Sequence, residues 1–430
     1  MDEQYAIPAS REEIFKLREE RKKRALLNAG KSPFFAERIR SINVERLDEP
    51  QEWAKIPVLN KDELRGLSSE EFYQSFCIQH PAQACELWRS GGSTGRPLFY
   101  PRNQPDLKAA LASFERVIRA IGINEPQLAH NSLPFGIHPA GHLFSRAMER
   151  CGLSVVWAGA GNTTPSAGQL ELLAEFQPKL WVGMPSYALH LANLAMGRGV
   201  DPKSFGLEKI LCTAEPLSRQ KRQRISELWG AEVFDCLGMT EVLLLGSEVA
   251  AGEGLRIWSD LFYEEVLDIE TLQAVEPGEL GTLVVTPLVT NNITPFLRWN
   301  TGDIVSIEYP EADNSTFGLF PLMKHAHRTA GFVKVRGINI GHTDFENLMF
   351  ERPQVEDFRV EVVNEGGNDI LRVFIEIPGE LDSNSASSEV AGIIRDVFEI
   401  DSDIIREERG AIAGFFEGQV KAQRFIDRRD

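Results

Sequence analysis

The sequence is poor in cysteine. Five of its 430 residues are cysteine, and they form no Cys-x-x-Cys pair, which argues against a disulfide framework and favours a reducing compartment. Cys77, His80 and Cys85 lie close together in sequence, but no fourth zinc ligand is near them. Cysteine is usually a small buried hydrophobic residue, so we predict no zinc site at this position.

Positive charge and long apolar runs are also scarce. The chain has 46 Lys and Arg against 63 Asp and Glu, a formal net charge of −17, which repels phosphate backbones and anionic lipids. No run approaches the ~20 apolar residues of a membrane span, and residues 1–5 contain no signal-peptide core. We therefore expect a cytoplasmic protein with a small-molecule partner, and neither nucleic acid nor membrane as a partner. A homodimer is compatible with the sequence, which does not determine the oligomer.

Hydrophobic residues make up 43% of the chain, enough for one large core and a smaller satellite domain. Between about 150 and 240, short apolar runs alternate with helix-length segments. The runs are residues 154–157, 180–183, 210–212 and 233–236. This alternation predicts an α/β fold with mainly parallel sheets covered by helices, in which ligands bind at the loops after the strands.

Beyond residue 255 the pattern changes to paired strands, with a turn at 276–279 before the β-type run 282–286. After Arg328, two strand-like runs and a helix-like segment indicate a small α+β domain of about 100 residues. We therefore predict a large N-terminal domain over residues 1–328, including a β-rich part, and a small C-terminal domain over residues 329–430.

A glycine-rich segment combines backbone freedom with hydroxyls and a cation; its residues are Ser90, Gly91, Gly92, Ser93, Thr94, Gly95 and Arg96. Glycines allow consecutive N–H groups to converge on a polyphosphate, and hydroxyls and a cation meet the remaining oxygens. The same composition taken alone fits a flexible turn equally well. The segment is neither a Walker A loop nor a GxGxxG dinucleotide turn.

The glycine-rich segment and the motifs that follow it resemble the adenylate-forming superfamily, which includes acyl-CoA synthetases, peptide-synthetase adenylation domains and luciferases. The later motifs are Ala214-Glu215-Pro216, Gly238-Met239-Thr240-Glu241, residues 298–303, and Arg328 with residues 335–337. Within that superfamily the chain resembles phenylacetate-CoA ligases and their relatives at residues 55–64, 161–163, 185–189 and 421–428. Because the motifs occur in the same order, the resemblance spans nearly the whole chain.

The resemblance implies a role for individual residues. The ATP-binding set comprises the glycine-rich segment with Arg96 at the terminal phosphates, Ala214, Glu215 and Pro216 at adenine, and Asp303 and Arg328 at the ribose. Thr240 and Glu241 are implied at the phosphates, with Glu241 anchoring Mg²⁺. Lys421 is implied as the catalytic cation, and Arg336 and Gly337 as CoA-facing residues. The acid pocket is expected at Phe135, Gly136, Ile137, His138, Gly238 and Met239, whose apolar character suits an aryl acid.

The resemblance implies an AMP-forming acid–thiol ligase that uses ATP, Mg²⁺ and CoA to activate an aromatic or arylacetic acid as its acyl-adenylate. It also implies that residues 1–328 form the ATP- and acid-binding domain and that residues 329–430 form a mobile C-terminal lid domain. Two features depart from the family pattern. Ala330 and Gly331 replace acidic hinge residues, and Leu237 replaces a tyrosine. The altered hinge leaves open an adenylating enzyme that transfers the acyl group to an amine or a carrier protein. An inactive nucleotide-binding homologue is the alternative from another class.

Because no cysteine precedes Arg328 in the stretch where many relatives carry them, we expect no structural zinc.

Overall fold

A computed structural model of the chain describes residues 3–90, 98–123, 125–311, 315–328, 332–377, 383–416 and 423–429, without the side chains of 326–328, 383 and 384. Residues 91–96 of the glycine-rich segment, the hinge residues 329–331 and Lys421 therefore lie outside the described residues. Internal contacts divide the chain into two units. The first unit contains residues 1–127, 135–155 and 234–328, and the second contains residues 128–134, 156–233 and 329–430.

The helices and strands have the following bounds. The helices are α1 (Arg11–Ala29), α2 (Pro33–Arg38), α3 (Pro50–Ala54), α4 (Lys61–Arg65), α5 (Ser69–Glu71), α6 (Gln104–Ala120), α7 (Pro139–Arg150), α8 (Ser166–Phe176), α9 (Pro185–Gly197), α10 (Arg219–Trp229), α11 (His342–Phe350), α12 (Ser383–Phe398) and α13 (Ala411–Phe416). The strands are β1 (Glu86–Arg89), β2 (Phe99–Arg102), β3 (Leu128–Asn131), β4 (Ser154–Trp157), β5 (Leu180–Gly183), β6 (Lys209–Cys212), β7 (Glu232–Met239), β8 (Leu243–Ser247), β9 (Leu255–Ile257), β10 (Phe262–Leu267), β11 (Gly281–Pro287), β12 (Trp299–Glu308), β13 (Leu322–Arg328), β14 (Phe332–Val335), β15 (Ile338–Gly341), β16 (Asp357–Glu365), β17 (Asn368–Glu376), β18 (Ser402–Glu407) and β19 (Phe425–Asp427).

The first unit is built on an antiparallel sheet with the strand order β10–β11–β12–β13–β9–β8–β7. Every residue of β8 and β11 is buried, so both strands lie in the interior of this unit. Strands β1 and β2 form a separate antiparallel hairpin, and the pair Arg89 and Phe99 lies at its loop end, which flanks residues 91–97. The structure confirms the paired strands predicted beyond residue 255.

The chain direction after β2 is fixed by the start of α6. Asn103 and Asp106 form a capping box: Asn103 Oδ1 accepts a hydrogen bond from the Asp106 N–H at 3.1 Å, and Asp106 Oδ2 accepts one from the Asn103 N–H at 3.3 Å. Pro105 occupies the first turn, where a helix needs no backbone N–H. Asp106 Oδ1 also accepts from the side chain of Asn292 at 2.7 Å. These contacts hold the end of β2 in place.

The second unit contains the predicted parallel strands. Strand β5 pairs in parallel with β3 on one side and β6 on the other, and α8, α9 and α10 occupy the connections. Apolar residues from the sheet and the helices form one core, including Leu173, Trp181, Leu191, Ile210, Ile225 and Trp229. The prediction of an α/β fold with parallel strands is confirmed.

The C-terminal part of the second unit has a hydrophobic core of its own, which runs from Val333 to Phe425 along the chain. Its sheet has the order β18–β17–β16–β19, in which β16 and β17 are antiparallel and the two outer strands join in parallel. The predicted α+β composition is confirmed. The domain boundary after Arg328 and the mobility of the C-terminal domain stay predictions. None of the helices in the described part of the chain has the length and apolar character needed to cross a membrane.

Candidate active site

The carboxylate of Glu241 lies in the turn between β7 and β8 and is held by two side chains. The Tyr100 hydroxyl donates to Glu241 Oε1 at 3.2 Å, and the Lys61 ammonium nitrogen lies 3.1 Å from the same oxygen. Glu241 is only 4% exposed, and a buried carboxylate is tolerated when it is paired and hydrogen-bonded. The two contacts therefore fix the orientation of the carboxylate.

The backbone of the same turn is held by the buried side chain of Arg102. Its guanidinium donates to the carbonyl oxygens of Thr240 at 3.1 Å, Glu241 at 2.6 Å and Thr290 at 2.9 Å. It also lies over the ring of Trp88, 5.2 Å from the ring centre. The main chain that carries Thr240 and Glu241 is thus attached to strand β2.

Burial and the neighbouring Glu241 carboxylate both raise the pKa of Tyr100 well above its usual value. The Tyr100 hydroxyl therefore keeps its proton and acts as a donor to Glu241 Oε1.

Burial also raises the pKa of the Cys77 thiol, to about 12, so this cysteine is a neutral core residue, as the sequence predicts.

Gly238 allows β7 and β8 to come close just before the Thr240–Glu241 turn. The two strands shift register between Leu237 and Gly238. A Cβ atom at Gly238 would lie 2.9 Å from Leu244 Cδ1 and 3.0 Å from the Leu243 carbonyl oxygen, closer than side chains normally approach. A glycine is therefore favoured by packing at this position, whatever contact it makes with a ligand.

The donor groups around Glu241 are of the kind that Mg²⁺ binds. A carboxylate oxygen is a hard ligand, and Mg²⁺ takes most of its remaining ligands from water and phosphate, so one or two protein carboxylates are sufficient. Glu241 supplies such a carboxylate, and Thr240 beside it supplies a hydroxyl. Lys61 contacts the same carboxylate, so this oxygen already faces a cation in the protein.

Asp303 lies on β12, and His325 from the neighbouring strand β13 contacts it. His325 Nε2 is 3.1 Å from Asp303 Oδ1, and the Asp303 side chain is fully buried. The backbone at this point is set by Thr301, whose hydroxyl donates to the Leu283 carbonyl at 3.0 Å and accepts from the Asp303 N–H at 3.1 Å. The expected ribose-binding carboxylate is thus held on two sides.

The segment that contains Lys61 is attached to the strand that carries Asp303. Leu59 donates its N–H to the Arg298 carbonyl at 2.9 Å and accepts from the Asn300 N–H at 2.9 Å. The side chain of Arg298 donates to the Ala54 and Ile56 carbonyls and pairs with Glu265, which gives this residue of the motif a structural role. Leu59 therefore contacts the motif that contains Asp303, and Lys61 contacts Glu241 in the other motif. These two motifs lie about 60 residues apart, and local periodicity carries no information on contacts over such a distance.

The predicted pocket residues Phe135, Gly136, Ile137 and His138 lie beside the start of the glycine-rich segment. The Arg89 N–H donates to the Ile137 carbonyl at 3.1 Å, and the Ser90 N–H donates to the Leu98 carbonyl at 3.0 Å. Phe135 packs edge-on against His142, whose Nε2 lies 3.0 Å from the Gly136 carbonyl. Ile137 is 50% exposed, so an apolar side chain faces outward at this point.

In the second unit, Ala214, Glu215 and Pro216 follow the carboxyl end of β6, where a ligand loop is expected in a parallel sheet. Glu215 accepts hydrogen bonds from the N–H and the hydroxyl of Ser186 in the first turn of α9, at 3.2 and 2.9 Å. Ala214 has a φ angle of 69°, a left-handed conformation that is uncommon for alanine. Glu215 therefore has a structural anchor in this conformation.

Arg336 and Gly337 form the two-residue turn of the β14–β15 hairpin, with φ angles of 49° and 86°. The Arg336 Nε donates to the Asp369 carbonyl at 2.7 Å. Arg424, three residues after Lys421, is buried against Asp357 and donates to the Phe358 carbonyl. The role of Lys421 and of the side chain of Arg328 stays a prediction, because both lie outside the described residues.

The structure brings together residues that the sequence did not assign to the site. In the first unit these are Lys61, Tyr100, Arg102 and His325. Lys61 belongs to a recognised motif without a predicted role, and His325 occurs in a stretch noted only for its lack of cysteine. The sequence signal for Tyr100 and Arg102 was their spacing of two positions on one strand, because side chains at that spacing lie on the same face. The assigned roles of the predicted ATP, acid and CoA residues stay predictions.

Comparisons with known proteins indicate the same enzyme family as the sequence motifs. Residues 39–287 match the AMP-binding enzyme family. Phenylacetate-coenzyme A ligase of Pseudomonas putida is 27% identical over 77% of this chain and 73% of that protein, and its counterpart in Thermus thermophilus is 27% identical over 85% and 82%. The solved structure of 2-hydroxyisobutyryl-CoA ligase with 2-HIB-AMP in the postadenylation state has the same fold, with a TM-score of 0.83, 22% identity, and coverage of 95% of this chain and 88% of that one. The resemblance predicted from the motifs is confirmed, and the chain belongs to the AMP-binding enzyme family.

Proposed function

We propose that the protein is an ATP-dependent carboxylate–CoA ligase that acts on an aromatic or arylacetic acid through an acyl-adenylate and releases AMP and pyrophosphate. The observation that carries the proposal is the turn at Thr240 and Glu241, fixed by Lys61, Tyr100 and Arg102 beside the hairpin that flanks the glycine-rich segment. The similarity to phenylacetate-CoA ligases over most of the chain supports the same reaction class.

The first half-reaction forms the acyl-adenylate. A carboxylate oxygen of the acid attacks the α-phosphorus of ATP, and the bond between that phosphorus and the bridging oxygen to the β-phosphate breaks, so pyrophosphate leaves with the bond electrons. Two anions must approach each other, so the protein has to neutralise charge and align the groups. Lys61 and Arg96 supply positive charge on the phosphate side. Glu241 would hold a Mg²⁺ ion, which would supply further charge neutralisation when bound.

Asp303 orients the nucleotide through its ribose. A carboxylate accepts two hydroxyl hydrogen bonds, which suits the adjacent hydroxyls of a ribose. In this structure, contacts with His325 and the hydroxyl of Thr301 hold Asp303 and its backbone in place. Glu215 and its neighbours Ala214 and Pro216 would line the adenine side, where the anchor at Ser186 keeps the Glu215 side chain in one position.

The aryl preference is supported by the apolar residues near the glycine-rich segment. The backbone of Ile137 is hydrogen-bonded to Arg89, which precedes Ser90, and the Ile137 side chain is half exposed, while Phe135 supplies an aromatic ring two residues earlier. Gly238 and Met239 lie just before the Thr240–Glu241 turn. Apolar walls of this kind favour an aromatic ring over a charged or short-chain acid. His138, at the start of α7, would face the ring substituents.

In the second half-reaction, the CoA thiolate attacks the acyl carbon and AMP leaves with the electrons of the acyl–oxygen bond. Lys421 is the proposed cation of the first step, and Arg336 and Gly337 are the proposed CoA-facing residues. Because Ala330 and Gly331 replace the acidic hinge residues of relatives, the acceptor is the step that most needs a test. Transfer to an amine or a carrier protein is the competing outcome.

The experiment is acid-dependent exchange of labelled pyrophosphate into ATP over a panel of aromatic, arylacetic and aliphatic acids, followed by AMP release with and without CoA. We expect exchange with aromatic or arylacetic acids and AMP release that depends on CoA. Exchange without CoA-dependent turnover would favour an amine or carrier-protein acceptor. Absence of exchange with every acid would reject the proposal in favour of an inactive nucleotide-binding homologue.

A substitution at Glu241 tests the site itself. Glu241→Gln keeps the shape of the side chain but removes its charge, so we expect exchange activity to fall by a factor of about 100 or more, because charge stabilisation at a reacting phosphate is lost. Glu264→Gln is the matched control, since Glu264 is also buried in the sheet of the first unit but has no contact with Tyr100 or Lys61 among its described hydrogen bonds and ion pairs. Equal losses in both variants would contradict the role of Glu241.

A further inference from the structure

Strand β2 presents two side chains to the Thr240–Glu241 turn. Side chains two residues apart on a strand point to the same face, so Tyr100 and Arg102 both reach this turn. Tyr100 contacts the Glu241 carboxylate, and Arg102 contacts the backbone carbonyls of Thr240 and Glu241. One strand thus controls both the side chain and the main chain of the predicted metal-binding residue.

A fully buried arginine needs strong compensation for the loss of hydration. Arg102 obtains it from three backbone carbonyls, the face of Trp88 and the charges of the nearby Asp106 and Glu241 carboxylates, and no direct bond to a carboxylate is found among its described contacts. Two of those carbonyls belong to Thr240 and Glu241. The guanidinium therefore holds the backbone of Thr240 and Glu241, which sets the position of the Glu241 Cα atom.

Another fully buried arginine in the same unit shows the contrast. Arg116 forms a two-pronged ion pair with Asp260, at 2.6 and 2.7 Å, and donates to the Tyr5 carbonyl. Its described hydrogen bonds join α6 to the loop before β10 and do not reach the Thr240–Glu241 turn. Arg116 is thus a buried arginine with a structural ion pair, whereas Arg102 directs its donors at the main chain of a functional motif.

We propose that Arg102 is a positioning residue that sets the location of the Glu241 carboxylate relative to the MgATP phosphates, and that Tyr100 fixes the orientation of that carboxylate. This inference rests on the proposed function, because it assigns to Glu241 a role toward the metal and the phosphates. Lysine cannot replace Arg102, since a single ammonium lacks the planar fork that spans several carbonyls at once.

The test measures ATP binding by calorimetry with Mg²⁺ and with EDTA, alongside the melting temperature, for Arg102→Lys, Tyr100→Phe and the control Arg116→Lys. We expect Arg102→Lys to weaken binding in the presence of Mg²⁺ by about tenfold, which corresponds to one lost hydrogen bond to a charged group, while binding in EDTA changes less than about twofold. Tyr100→Phe is expected to act in the same direction by about threefold. Arg116→Lys is expected to lower the melting temperature and leave the Mg²⁺-dependent part of binding unchanged.

The outcomes separate a positioning role from a structural one. If Arg102→Lys lowers the melting temperature as Arg116→Lys does but keeps the Mg²⁺ dependence of the unaltered protein, the inference is overturned. If Arg102→Lys does not fold, Tyr100→Phe decides, since it removes a single hydroxyl, and unchanged Mg²⁺ dependence in that variant rejects the proposal. Failure of the unaltered protein to bind ATP at all would instead reject the proposed function, and this inference with it.

Discussion

At the scale of single residues, the carboxylate of Asp303 depends on a neighbour from the adjacent strand. His325 Nε2 lies 3.1 Å from Asp303 Oδ1, and Asp303 is fully buried. A buried carboxylate without such a donor would lose part of its compensation and would rotate toward other donors. His325 therefore keeps one oxygen of Asp303 occupied and defines the orientation of the second oxygen, which the proposed function assigns to the ribose hydroxyls.

Replacement of His325 should affect nucleotide binding more than chemistry. We expect His325→Leu to raise the KM for ATP by about tenfold, which corresponds to one lost hydrogen bond to a charged group, with a smaller change in kcat. His325→Gln retains a donor near the position of Nε2 and should restore most of the affinity. Lys324→Met is the control on the same strand, because Lys324 pairs with Glu308 at the exposed surface, where ion pairs contribute little. Steady-state kinetics of pyrophosphate exchange check the prediction, and a kcat effect without a KM effect would contradict it.

The residues that the sequence did not reveal are those with partners far along the chain. Tyr100 and Arg102 contact the turn at Glu241, about 140 residues away, and His325 contacts Asp303 across a strand pair whose register includes an irregularity. Local periodicity carries no information on such pairings. Motif spacing identified Thr240, Glu241 and Asp303 because those residues occur in the family pattern, whereas their supporting contacts depend on tertiary structure.

At the scale of elements, strand β3 and helix α8 are joined by a buried polar network around Gln169. Its side-chain oxygen accepts from Ser132 at 2.7 Å and lies 3.1 Å from His130 Nε2, and its nitrogen donates to the Gly159 and Thr164 carbonyls. Because the Gln169 oxygen is an acceptor, His130 Nε2 carries the proton that it donates. The network therefore ties the start of the loop after β4 to the parallel sheet.

This network predicts a pH dependence of stability. Burial lowers the pKa of His130 to about 4, since a charged imidazole would lose its hydration. Histidine in the unfolded chain titrates near a pKa of ~6.5, so between these values the unfolded state binds a proton that the folded state does not. The contribution of His130 to stability is therefore complete above pH ~6.5 and declines as the pH falls toward the folded pKa, by about 2 kcal/mol at pH ~5.

The prediction is checked with His130→Gln, which keeps a donor for Gln169 but does not titrate. We expect the variant to be less stable than the unaltered protein at pH ~7.5, and the difference to shrink by about 2 kcal/mol at pH ~5. Urea unfolding at several pH values measures the difference. His80→Gln changes an exposed histidine outside the network and should show no such convergence. Parallel pH curves for His130→Gln and the unaltered protein would contradict the assignment.

The elements also show where sequence patterns succeed. The apolar runs near 154, 180, 210 and 233 correspond to β4, β5, β6 and β7, because short buried strands between amphipathic helices leave a strong local signal. The order of the strands from β7 to β13 leaves no comparable signal, since it depends on pairing between residues far apart in sequence, which local periodicity does not reveal. The fold class was therefore predictable, whereas the strand order was not.

At the scale of the whole molecule, the second unit is assembled from segments far apart in sequence. Lys221 on α10 and Glu346 on α11 form an ion pair of 2.6 Å, and both residues are largely buried. Asn193 donates to Asp357 at 3.2 Å, and Asp357 in turn is paired with Arg424. In this structure the C-terminal part is thus joined to the segment 156–233 by charged and polar contacts, and Phe350 adds an apolar contact with the core of that segment.

The Lys221–Glu346 pair also contacts the proposed adenine segment, because Lys221 Nζ lies 3.4 Å from the Pro216 carbonyl. Removal of one partner leaves the other charge buried and unpaired, which typically costs about 3 kcal/mol. We expect Lys221→Met and Glu346→Leu each to destabilise the protein by about that amount, and the double variant to be markedly more stable than the sum predicts. Denaturant unfolding of all four proteins gives the coupling energy.

The pair Lys209 and Glu232 is the matched control, since it lies in the same unit at 2.9 Å but is more exposed. We expect its cycle to give a coupling of less than about 1 kcal/mol, as exposed ion pairs do. If both cycles give the same small value, the C-terminal part does not depend on Lys221 and Glu346 for its attachment. A large coupling for the buried pair alone would show that Lys221 and Glu346 contribute to the attachment of the C-terminal part.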